Sequence, residues 1–109
     1  MYTVTRVRLT QPPRSWADPH YEFGRNAAIW WRTTTSPTDE AEVAAAQMQH
    51  DYLIRARVRM VTHADTYDTL ANKAGIDASV LGKVFRGDRP LHLVHLAAPE
   101  RVLGPLRGP

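Results

Sequence analysis

The sequence predicts a mainly α fold: a helical bundle with one long leading helix, two short helices set at a glycine corner, and a small N-terminal β element. Three observations carry this. Residues 38–62 contain no glycine or proline, residues 66–87 alternate capping residues, apolar helical spacing and glycine, and residues 2–10 are rich in β-branched types. The chain has 109 residues, 43% of them apolar, which suits one domain with an accessory element.

Taken in order, Tyr2, Val4, Val7 and Leu9 mark residues 2–10 as a strand whose period of two slips once, and Pro12 and Pro13 end it. Residues 14–25 read as loop, with Trp16, Tyr21 and Phe23 as anchors. Residues 27–34 read as a second strand pairing with the first, with a short helix as the competing reading. Ser36 caps a helix that Pro37 opens, and Asp39 stands three residues on as the box partner. Val43, Ala46, Leu53, Ala56, Met60 and Val61 then form an incomplete apolar stripe, which favours one long helix over a break near Met48–Asp51.

The most informative stretch is Thr66–Gly87. Thr66 caps a helix whose Leu70, Ala71 and Ala74 share a face, and Gly75 supplies the positive φ that ends it. Ile76 fills the angle, and Asp77 caps a second helix with Val80, Leu81, Val84 and Phe85 turned inward. Small Ala71 allows a close crossing. The outward face of the second helix shows Ala78, Ser79, Gly82, Lys83 and Arg86, and Gly87 closes it. After Pro99 the chain manages one helical turn and then dissolves into Gly and Pro. The expected organisation is residues 1–35 as a β and aromatic extension, 36–98 as the helical domain, and 99–109 as a short tail.

Residues 66–87 resemble the lambda-repressor and Cro-like (XRE-type) helix-turn-helix family. The shared pattern is a small cap, Leu-Ala, three residues to Gly, an aliphatic residue, a capping Asp, and an amphipathic helix ending in Gly. It covers about a fifth of the chain. The resemblance implies that Asp77, Ala78, Ser79 and Lys83 hold the base-facing positions of a recognition helix, with Tyr67 and Arg86 at phosphate-contacting ones. It also implies a sequence-specific binder of double-stranded DNA, a transcriptional repressor working as a homodimer. By analogy alone, such a protein suits a phage or mobile element in a GC-rich host.

Charge permits this reading without requiring it. The net charge is +3, but residues 62–97 hold four basic and four acidic residues, so any positive face must come from geometry. Arg55 and Arg59 share a helix face and read either as phosphate contacts beside the recognition helix or as a solvated surface. Arg6, Arg8, Arg25 and Arg32 read as a DNA-tracking ribbon or as a charged edge that resists aggregation. Adjacent Trp30 and Trp31 point to opposite strand faces, so one suits a dimer interface or a protein partner. A protein-interaction module on the same scaffold, such as an antitoxin or assembly factor, is the alternative function.

Other classes lack residues to support them. There is no cysteine, so thiolate chemistry and Cys-based zinc sites are excluded. Of five histidines only His92 and His95 have helical spacing, with no acidic partner to complete a metal set. No phosphate loop, nucleophile elbow or carboxylate pair appears, so neither an enzyme nor a cofactor is expected. No apolar run reaches the roughly 20 residues of a membrane span, and no signal-peptide order opens the chain, so the cytoplasm is the expected location.

Overall fold

The computed structural model describes residues 11–106 and is mainly helical, with one small antiparallel sheet. Two short 3₁₀ turns, Pro13–Trp16 and His20–Glu22, flank strand β1 (Ala17–Asp18), which pairs with β2 (Trp30–Trp31). Four helices follow: α1 (Pro37–Thr62), α2 (Tyr67–Ala74), α3 (Ala78–Arg86) and α4 (Leu93–Leu103). The strand expected over residues 2–10, with Arg6 and Arg8, lies outside the described residues. The expected second strand shrinks to Trp30–Trp31, and its partner is Ala17–Asp18, from a stretch read as loop.

Helix α1 is a single unbroken element of 26 residues. Ser36 caps it, its hydroxyl accepting from the Asp39 N–H at 3.1 Å, and Pro37 stands in the first turn, where a missing N–H costs nothing. The gap in its apolar stripe now has an explanation. The buried face runs through Ala46, Gln49, His50, Leu53, Ala56 and Met60, so two polar residues occupy the missing turn. Val61, assigned to the stripe by spacing, is instead 81% exposed.

Gln49 and His50 are tolerated because each meets a buried backbone group. The Gln49 amide donates to the carbonyls of Val84 and Arg89, and its oxygen accepts from the Leu91 N–H. That one side chain holds the α3–α4 connection against α1. The His50 Nδ1 accepts the Gly24 N–H at 2.8 Å. Two turns further along α1, the Arg57 Nε donates to the Gly24 carbonyl at 2.6 Å.

Residues 16–31 thus contribute to the main core. Trp16, Ala17 and Phe23 are buried in one cluster with Leu53, Leu70, Leu81, Val84 and Phe85. Trp31 meets Phe23 and His50 edge-on, whereas Trp30 is 79% exposed. The C-terminal segment also differs from expectation. Helix α4 begins six residues before Pro99, which sits buried inside it, and Leu103 and Leu106 reach the core. Pro99 forfeits a hydrogen bond to the turn before it, while the apolar burial of its neighbours holds the helix in place. Among the described residues, no helix is long and apolar enough to cross a membrane.

Candidate nucleic-acid interface

Helices α2 and α3 meet at a corner built from local chemistry. Thr66 and Thr69 cap α2 reciprocally: each hydroxyl accepts the other residue's N–H, at 3.2 and 2.8 Å. Gly75 ends α2 in the left-handed region at φ 74°, and the Ile76 N–H closes the turn on the Ala71 carbonyl at 3.0 Å. Ala71 is buried at the crossing, as its size requires. Asp65, just ahead of the Thr66 cap, accepts from Lys73 and the Thr69 hydroxyl. Those bonds hold its carboxyl below the usual carboxylate range.

Helix α3 has nine residues, a length of about 13 Å. Leu81, Val84 and Phe85 bury its inner face. Ser79 and Lys83 are exposed on the outer face, and Lys83 forms no ion pair among the described residues. Ala78 is half-buried at the first turn. The Asp77 carboxylate is committed: Oδ1 accepts from the N–H groups of Ser79 and Val80, at 2.8 and 3.2 Å. Asp77 therefore builds the helix start instead of presenting a free acceptor at the positions the resemblance assigned it.

Arg86 and Gly82 depart from the picture of a fully displayed face. The Arg86 guanidinium folds back along α3, close enough that a Cβ on Gly82 would stand 3.1 Å from its Nη1, and so Gly82 is buried. Its Nε donates to Asp88 at 3.2 Å. Asp88 also accepts from the Arg14 Nε. Partial burial works to raise the Asp88 pKa, but the hydrogen bonds from Arg14 and Arg86 outweigh it and hold the carboxyl below its usual range.

Tyr67 and the α1 arginines occupy different places from those expected. Tyr67 is half-buried, its ring 5.1 Å from that of Phe85, with Arg57 stacked over both rings. Arg57, which spacing set apart from Arg55 and Arg59, is the structural arginine: besides Gly24 it reaches the Phe85 carbonyl at 3.4 Å. Burial pulls its guanidinium below the usual value, partly offset by the Tyr67 hydroxyl. It remains a cation, as arginine does in proteins. Arg59 donates to the carbonyls of Leu103 and Pro105, and Arg55 to that of Leu106. Both therefore fasten the C-terminal segment, where helix-end carbonyls lack partners.

Reasoning from sequence missed Arg14, Gln49, His50 and Arg57. Their partners lie 26 to 74 residues away, so no local spacing betrays them. A cavity of about 610 Å³ lies elsewhere, between α1, α4 and Gln11–Trp16, with a mostly apolar lining that includes Met48, Leu93 and Leu96. The rings of His92 and His95 do meet, at 5.6 Å, but no group of three metal-ligating side chains occurs among the described residues. No protein-family model matches the chain, and no curated protein or solved structure is significantly similar to it.

Proposed function

We propose that this protein is a sequence-specific double-stranded DNA-binding regulator of the XRE helix-turn-helix type, acting as a repressor by occupying its operator. The observation that carries the reading is the outer face of α3, where Ser79 and Lys83 stand uncovered on a helix capped at both ends. A helix, about 10–12 Å across and here with short side chains in its first turn, suits a major groove about 12 Å wide. Lys83 has the reach and charge to donate to guanine, and Ser79 to hydrogen-bond either strand's base edges. The contact set narrows accordingly: Ser79 and Lys83 address bases, Arg86 addresses phosphate, and Tyr67, Asp77, Arg55 and Arg59 shape the scaffold.

Selection of bound duplexes from a random DNA pool tests this directly. Enrichment of a defined site is expected, and Lys83→Ala should weaken binding to it by about 1–3 kcal/mol while relaxing preference at one position. A pool that emerges unenriched, with no measurable affinity for mixed duplex at low salt, overturns the reading. Trp30 favours a second reading, a protein-interaction module, because it is 79% exposed. The same surface serves the proposed homodimer, and the mass of the complex in solution separates the two.

A further inference from the structure

A second basic feature borders α3, and residues outside the two-helix corner build it. Where the N-terminal segment meets the end of α3 there is a notch of about 370 Å³, lined by Arg14, Tyr21, Phe23, Arg25, Arg86 and Asp88. Three guanidinium groups face one carboxylate there. Asp88 bridges two of them through their Nε atoms, which leaves the terminal nitrogens of both Arg14 and Arg86 for another acceptor. The third, Arg25, is exposed and engages no carboxylate among the described residues. The notch is therefore doubly positive, and it opens to solvent: the side chains of Arg14 and Arg86 are 40% and 51% exposed.

Its position relative to α3 is fixed. The Arg14 N–H donates to the Gly87 carbonyl at 3.0 Å, and Phe23 packs on Gly87 from the core side. Arg86 belongs both to the notch and to the outer face of α3, one turn beyond Lys83. Bases and backbone alternate across a groove in the same way, since a helix seated in the major groove ends beside a sugar-phosphate strand. A rigid fork of cations at that end meets the geometric need of a phosphodiester better than it meets a mobile acidic peptide.

We propose that this notch grips a backbone phosphate of double-stranded DNA, with Arg25, Arg14 and Arg86 as donors, so that the N-terminal segment clamps the strand beside the groove that α3 enters. The proposal rests on the DNA-binding reading and adds Arg14 and Arg25 to the phosphate contact of Arg86. Asp88 acts as the spacer that holds two guanidinium groups apart and aimed. Phosphate contacts of this kind set register and affinity but carry no base preference.

The test is fluorescence anisotropy of the full chain with a labelled mixed-sequence duplex across a potassium chloride series. Arg25→Ala should weaken every duplex alike, by severalfold, and flatten the slope of log affinity against log salt by about one. Arg25→Lys should keep the slope. Its thermal midpoint should match that of the unaltered chain, since Arg25 is exposed. An unchanged slope and affinity in Arg25→Ala, in a chain whose binding still depends on Lys83, overturns the notch and leaves the DNA reading standing. A chain that binds no duplex at all overturns both. Inorganic phosphate that saturates the arginine resonances at low millimolar concentration, without an effect of Arg25→Ala on duplex binding, marks a free-anion pocket and also overturns the proposal.

Discussion

The corners at Gly75 and Gly87 share a backbone conformation, with φ of 74° and 77°, yet their surroundings are opposite. A Cβ on Gly75 would meet nothing within 4 Å. On Gly87 it would stand 2.5 Å from the Phe23 ring and 2.9 Å from the Arg14 Cβ. The first corner needs glycine only for its dihedral angles. The second needs it for space as well, because the N-terminal segment is pressed against the end of α3 at that point. One is a turn between neighbours in sequence, and the other is a joint between segments more than 60 residues apart.

The largest effect should come from Gly87→Ala, which adds left-handed strain to a clash with a buried ring and should cost about 3 kcal/mol by denaturant titration. In a Phe23→Ala background the clash with the ring goes and the one with the Arg14 Cβ stays, so the added cost should fall by about 1 kcal/mol, a coupling that a double-mutant cycle reads out. Equal costs in both backgrounds would break the contrast. Gly75→Ala should cost about 1 kcal/mol from φ alone, with or without Phe23. A larger loss there would mean that the open corner is not open.

The smallest effect is a dependence on pH. Burial is the main influence on His50 and pulls its pKa below the ordinary imidazole value, against smaller opposing effects of Asp51 and nearby carbonyls. The folded chain thus binds fewer protons than the unfolded one. Stability should be full above pH about 6.5 and decline as pH falls below it, toward the lower folded-state value. His50→Asn, which keeps an acceptor for Gly24, should flatten that decline in urea midpoints compared between neutral and mildly acidic pH. His95 shifts in the same direction, so some slope should remain. An identical slope in the variant would remove His50 as its source.

What the sequence made legible divides along the same line as the two corners. Ser36, Thr66, Gly75, Asp77 and Gly87 announce helix ends through bonds that span two to five residues, and the structure uses each of them as a cap or turn. Ser79 and Lys83 were readable as outward because the inward residues of α3 recur at helical spacing. The β1–β2 pairing, the grip of Gln49 on Leu91 and the inward turn of Arg57 depend on contacts made across the fold. Periodicity on α1 even worked against them, since polar Gln49 and His50 look like gaps in a stripe when they are its most constrained members. The C-terminal helix was obscured for a related reason: Pro99 reads as a start or a stop, and burial overrides both.

Gly24 is held from α1 on both of its peptide faces, and the two holds respond differently to solution conditions. The imidazole can gain a proton only as pH falls below its ordinary range, while the guanidinium keeps its charge throughout the accessible range. Acidification therefore unlatches one side of a single residue and leaves the other moored. The lobe that carries Arg14 and Arg25 keeps its other moorings, which are Arg57 on the Gly24 carbonyl, the Arg14 N–H on the Gly87 carbonyl, and buried Trp16 and Phe23.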